Sequence, residues 1–251
     1  MTIQGHMQES AGNEYQGLSI EGISITVYAT QTPYEYDSFN KDYDADAFSD
    51  VNTADSLKTA ISKGGIVKVS SDIETNNITD TVAARMVIAN PTTLNLDAKI
   101  VSPDNMGNNN TNFCALIVDA DTTINATKDG GIDTGVNGGY ALNVRNGATL
   151  TINGGDYYGG GTSVQVQKGT LIINGGKFAC EPYSNPVYGN KFLINCIDSA
   201  YKDGTAKIII KGGTFVNFDP SDSASENPHG NFVADGYKVV PETQSNGDVW
   251  Y

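Results

Sequence analysis

The chain has 251 residues with 15 basic and 29 acidic side chains, a formal net charge of −14 and a pI near 4.3. That length suits one large domain or two small ones, and a polyanion of this kind is repelled by nucleic acid and by anionic membrane surfaces, so neither is expected as a partner. Gly (28), Asn (25) and Thr (23) are abundant, whereas Arg and His occur only as Arg85, Arg145, His6 and His229, a composition of turn-rich β structure that argues against a helical bundle.

Residues 1–52 form the first part. Residues 1–50 hold nine acids and one base, so more than half of the net charge sits in a fifth of the chain. The alternation Leu18-Ser-Ile20, then Ile23-Ser-Ile25-Thr-Val27-Tyr28, reads as one or two strands. Pro33 to Asp50 is acidic and aromatic (Tyr34, Tyr36, Phe39, Tyr43, Phe48) without a clear period. It reads either as a solvated arm or as an attachment arm whose aromatics anchor it to a partner. MTIQGHMQES lacks the basic and apolar regions of a signal peptide, and no apolar run reaches about 18 residues. Synthesis in a cytoplasm, without signal-directed export or a spanning helix, is the expectation.

A helix is predicted over 53–63. Thr53 can cap it, Asp55 suits its first turn, Leu57, Ala60 and Ile61 share a face, and Gly64 and Gly65 stop it. From Gly65 to about Phe218 the sequence repeats. Gly147-Ala-Thr-Leu150-Thr-Ile152-Asn153-Gly154-Gly155-Asp-Tyr157 returns 21 residues later as Gly-Thr-Leu171-Ile-Ile173-Asn174-Gly175-Gly176-Lys-Phe178. A third copy, Ile208-Ile-Ile210-Lys211-Gly212-Gly213-Thr-Phe215, follows after an insertion near Glu181–Asn190. Weaker relatives run through Leu94-Asn95-Leu96 and Ile124-Asn125-Ala126, and Ala141–Val144 and Ser163–Val166 supply a second strand per repeat. Such a period means a solenoid in which Leu150, Leu171 and Ile208 stack, as do Ile152, Ile173 and Ile210, and Tyr157, Phe178 and Phe215. Residues 231–251 close the chain, with Ser245-Asn246-Gly247 as a hairpin turn between Tyr237–Pro241 and Asp248–Tyr251. The helix and the hairpin are expected to cover the two ends of the stack.

Chemical motifs are sparse. The Asn-Gly-Gly corners precede strands or turns, not the helix a phosphate loop requires. They read as bends whose Asn153 and Asn174 form a ladder that Lys211 ends. Asp119-Ala-Asp121 and Asp129-Gly-Gly-Ile-Asp133 lack the further ligands of a calcium loop and read as corner carboxylates; Asp104–Asn112 reads as a loop. Asp156, Lys177 and Thr214 occupy equivalent positions, so no carboxylate column suits glycoside hydrolysis. No GxSxG elbow occurs, and His229 sits in a polar Ser-Glu-Asn-Pro-His-Gly loop. Cys114, Cys180 and Cys196 are too dispersed for a disulfide framework or a zinc site and read as reduced core residues. No catalytic, cofactor-binding or metal-binding residue is assigned, and no cofactor is expected.

The L-x-I-x-G-G-x-[FY] units over residues 65–218 resemble the right-handed parallel β-helix, or pectate-lyase-like, superfamily. Thr53-Ala-Asp-Ser-Leu-Lys-Thr-Ala-Ile61 running into Gly64-Gly-Ile-Val-Lys-Val, the Gly-Gly-x-aromatic units and the closing Gly236-Tyr-Lys-Val-Val240 are most similar to short β-helix proteins of bacteriophage virions, namely head fibres and capsid decorations. The resemblance implies an all-β, right-handed parallel β-helix solenoid with a short N-terminal capping helix and a C-terminal β-hairpin cap. Its parts are an attachment or oligomerisation arm (1–52), helix plus β-helix (53–230) and a capping hairpin (231–251). It implies a non-enzymatic virion protein, a homotrimer, held to a capsid or fibre-base protein through the arm. The Arg or Lys base with a calcium-binding Asp cluster of the superfamily's lyases has no counterpart beside Arg145, and the hydrolases' Asn-Thr-Asp, paired-Asp, Gly-His-Gly and Arg-Ile-Lys motifs are missing. The alternatives are a carbohydrate-active tailspike or depolymerase, and a glycan-binding adhesin using Tyr157, Tyr158, Tyr183 and Tyr188 as platforms against a host surface glycan.

Overall fold

The computed structural model describes residues 48–75, 85–102, 113–136, 139–182, 189–226 and 228–251. The alternation at 18–28, the acidic arm up to residue 47, the loop at 104–112 and residues 183–188 of the insertion lie outside the described residues.

Helix α1 (Ala54–Lys63) forms where the spacing predicts it. Thr53 is extended (φ −136°, ψ 158°), and its side chain accepts the Ser56 N–H at 3.1 Å while Ser56 Oγ accepts the Thr53 N–H at 3.1 Å. This reciprocal box satisfies two donors that a helix start leaves open. Gly64, at φ +82°, ends the helix and donates to the Ala60 carbonyl at 3.0 Å. Leu57, Ala60 and Ile61 are buried, and the helix packs on strands Phe48–Val51, Gly65–Val69 and Val87–Ile88. The first of these strands belongs to the segment read from sequence as arm.

Most of the described chain is strand, and equivalent segments of successive repeats pair in parallel. In the larger sheet Phe48–Val51, Gly65–Val69, Thr92–Leu96, Thr122–Ala126, Ala148–Gly160, Gly169–Glu181 and Ala206–Ile210 follow one another in chain order. Alternate residues face inward. One inner column runs Val67, Leu94, Ile124, Ile152, Ile173 and Ile210. Leu150 lies over Leu171 and Leu171 over Ile208, as the repeat predicts. The two long strands bend after Asn153 and Asn174, where the register slips. Gly155 (φ +99°) and Gly176 (φ +112°) take conformations that side chains disfavour, and a Cβ on Gly155 would stand 2.7 Å from the Ala126 Cβ. Past the bend, Ile73, Ile100, Ile132, Tyr157, Phe178 and Phe215 form a second inner column. The rings of Tyr157 and Phe178 stack at 5.0 Å, those of Phe178 and Phe215 at 5.2 Å, each pair tilted by 9°.

A second, five-stranded parallel sheet is made by Val87–Ile88, Cys114–Val118, Tyr140–Val144, Val164–Val166 and Ile194–Cys196. Leu116, Leu142, Val164 and Ile194 face the main core. The opposite face is buried too: Cys114, Ile117 and Tyr140 form a separate cluster, and Asn143 and Gln165 are 0% and 1% exposed. Leu142 pairs with Val164 at a spacing of 22, against 21 for Leu150 with Leu171. The extra residue is in the corner at Arg145-Asn146-Gly147, where Asn146 (φ +56°) and Gly147 (φ +82°) turn the chain.

Two features depart from the expectation. Helix α2 (Asp198–Lys202) carries no periodicity of its own and went unpredicted. The terminal hairpin forms around Ser245-Asn246-Gly247, but its strands are only Glu242–Thr243 and Val249–Trp250, and Tyr237–Val240 is not paired in it. Residues 232–234 instead lie along the edge of the last repeat, with Ile210 N–H donating to Phe232 O at 2.8 Å and Ala234 N–H to Ile210 O at 2.9 Å. Tyr251 exchanges both backbone bonds with Phe215, at 2.9 and 3.0 Å. The protein is thus all-β, made of long, mostly parallel sheets with few helices, and is compatible with a parallel β-helix-like fold.

Candidate functional site

The outer face of the larger sheet carries an asparagine row. Asn174 Nδ2 donates to Asn153 Oδ1 at 2.8 Å, Asn153 to Asn125 at 2.8 Å, and Asn125 to Asn95 at 3.0 Å. The ladder read from the two strong repeats extends through the two weak ones. Each amide keeps capacity beyond its ladder bonds, since it has two donor protons and two lone pairs. Asn95, Asn125 and Asn153 of the row line an open groove with Phe48, Lys68, Asp97 and Thr127. Lys68 pairs with Asp97 at 3.2 Å and lies 5.9 Å from the centre of the Phe48 ring. A second shallow groove on the same sheet is lined largely by Thr92, Thr93, Thr122, Thr123, Thr149 and Thr151.

The acidic corners are committed to the protein itself. Asp119 holds Arg145 through two bonds, Nε to Oδ1 at 2.8 Å and the second guanidinium nitrogen to Oδ2 at 2.7 Å. That bond is the largest of the effects that raise the Arg145 pKa, so the pair holds this guanidinium as a cation. Asp121 Oδ1 accepts the Thr149 N–H at 2.8 Å, Asp133 Oδ1 accepts the Gly135 N–H at 2.9 Å, and Asp129 lies 3.6 Å from Lys128. Asp156 pairs with Lys99 at 3.1 Å, and Lys177 lies 4.5 Å from the centre of the Trp250 ring. Among the described residues, no three His, Cys, Asp or Glu side chains gather as metal ligands.

Of the tyrosines considered as platforms, Tyr157 is 0% exposed and belongs to the core, its hydroxyl donating to Gly154 O at 2.8 Å. Tyr158 is half-buried, and burial, with Glu181 next, pushes its pKa up. Tyr183 and Tyr188 lie outside the described residues. The three cysteines are buried free thiols, and burial pushes Cys180 and Cys196 up to about 12, so neither is a ready nucleophile.

One group escaped sequence reasoning. Glu226, three residues from His229, is 2% exposed. Its Oε1 accepts the Cys196 N–H at 3.1 Å and the Ser225 hydroxyl at 3.0 Å, while Oε2 has no hydrogen-bond partner among the described residues. Desolvation raises its pKa, and the nearby Asp198 adds to the rise. The carboxylate closes the edge of the last strand of the five-stranded sheet. His229 itself bonds Asp222 at 2.7 Å in the open, beside the Ser223–Gly230 bridge. Only the polar character of the loop was visible in sequence; a contact across 30 residues to Cys196 leaves no local pattern.

Compared with known protein families, with curated proteins and with solved structures, the chain matches none.

Proposed function

We propose that this chain is a non-enzymatic structural protein of a virion, a bacteriophage head fibre or capsid decoration, in which residues 1–52 attach to the particle and a right-handed parallel β-helix projects from it. The observation that carries this reading is how the polar side chains are used. The asparagine row, the Arg145–Asp119 pair and the Lys99–Asp156 pair all tie one repeat to another, as the aromatic stack does inside. A rod held rigid at every level needs such contacts. Copies are expected to assemble as trimers on the particle. Removing residues 1–47, which leaves the edge strand Phe48–Val51 in place, is expected to yield a folded protein that no longer binds the particle in co-sedimentation; retained binding would overturn the attachment role.

A glycan-binding role has one specific observation in its favour, the groove in which Phe48 stands beside Lys68, Asp97 and the amide row. An aromatic face with flanking amides and charges suits sugar rings and hydroxyls. Binding on a glycan panel that is lost in Phe48→Ala would support it. Release of reducing ends or unsaturated products from capsular or uronic-acid polysaccharides would contradict a non-enzymatic protein altogether.

A further inference from the structure

The final segment of the chain makes a groove that the fold itself does not use. Between the last repeat and the unpaired stretch Tyr237–Val240 lies an open cleft whose lining includes Ile210, Phe215 and Val233. Three large hydrophobic side chains stand exposed among the described residues, and two of them, Tyr237 at 54% and Val240 at 66%, are here. The backbone N–H groups of Lys238, Val239 and Val240 meet no acceptor among the described residues. A largely apolar stretch with open backbone N–H groups is a template for another strand. The cleft also carries two lysines. Its charged side chains are Lys211 and Lys238, and neither has an ion-pair partner among the described residues, in a chain whose net charge is −14.

The chemistry that matches this lining is a segment with carboxylates and apolar or aromatic side chains. Residues 34–47 of this sequence have that chemistry, with five acids, one base and the aromatics Tyr34, Tyr36, Phe39 and Tyr43. We propose that the Lys211–Lys238 cleft is a self-association site that takes residues 34–47 of a second copy of this chain. The contact joins two different surfaces, so it propagates head to tail and closes as a ring when the rotation between copies allows. Aromatic side chains would fill the cleft at Tyr237 and Val240, and the carboxylates would meet the two lysines.

The test is a charge swap read by light scattering on the full-length chain. The unmodified protein is expected to be a multimer that dissociates as salt screens the contact. Lys211→Glu with Lys238→Glu, and separately Asp42→Lys with Asp44→Lys, are each expected to give the single-chain mass of 26.6 kDa. An equimolar mixture of the two variants is expected to associate above the single-chain mass, because the arm of each now matches the cleft of the other. Circular dichroism confirms that both variants are folded. A single-chain mass for the unmodified protein at every concentration, a multimer indifferent to both pairs of substitutions, or a mixture that stays dissociated would each overturn the proposal. Particle binding is measured separately, so loss of self-association and loss of attachment are told apart.

Discussion

Glu226 brings a carboxyl group to a position 2% exposed, with one oxygen bonded and the other without a partner among the described residues. The groups that face it are Asp198 and Tyr201 on and near α2, Cys196 on the strand it covers, and Ser225 beside it; none is a cation. Its pKa is raised in the folded state, so the folded protein binds the proton more tightly than the unfolded chain does. By linkage, the contribution of this group to stability is full below the unfolded pKa and is lost as pH rises through the folded one. Glu226→Gln keeps an oxygen for the Cys196 N–H and removes the titration. The melting temperature of the variant relative to the parent is therefore expected to rise between pH 4 and pH 8; a constant difference would contradict the account. At this scale little was legible. The loop composition marked His229, whereas the group held in the protein was its neighbour at 226.

The asparagine row shows what one element contributes. Asn125 donates to Asn95 and accepts from Asn153, whereas Asn174 only donates, to Asn153. A net hydrogen bond contributes about 1 kcal/mol, and less in solvent. Asn125→Ala is expected to lower unfolding free energy by about 1 kcal/mol in urea titration, roughly twice the effect of Asn174→Ala. Equal losses would mean that the row is decoration and not support. The strong repeats revealed this element because Leu150, Ile152 and Tyr157 recur as Leu171, Ile173 and Phe178, like side chain over like. The weaker copies hid half of it: Thr122 lies under Leu150, so identity fails there although the shape of the column persists.

In the whole molecule, the C-terminal edge is closed by three unrelated means. Residues 232–234 pair with Ile210, Tyr251 and Val249 bond Phe215 and Asn217, and Glu226 takes the Cys196 N–H. A parallel stack without such closure presents rows of open donors and acceptors. Deleting residues 231–251 is expected to produce concentration-dependent aggregates by light scattering, with the helix at the other end intact by amide exchange; a soluble single-chain species would refute the closing role. The hairpin turn at Asn246-Gly247 was legible because its dihedral demand is local. The route of 232–234 was not, because its partner was settled only by where the last repeat happens to end.

The asparagine row also has an electrical sense. Each of the three bonds runs toward the N-terminal side, so the dipoles add instead of cancelling, and the row is a short aligned chain with the Asn95 N–H and the Asn174 carbonyl at its ends, both without a side-chain partner among the described residues. Lys68 pairs in register with Asn95 at the positive end, and there Asp97 stands 3.2 Å from its ammonium to offset it.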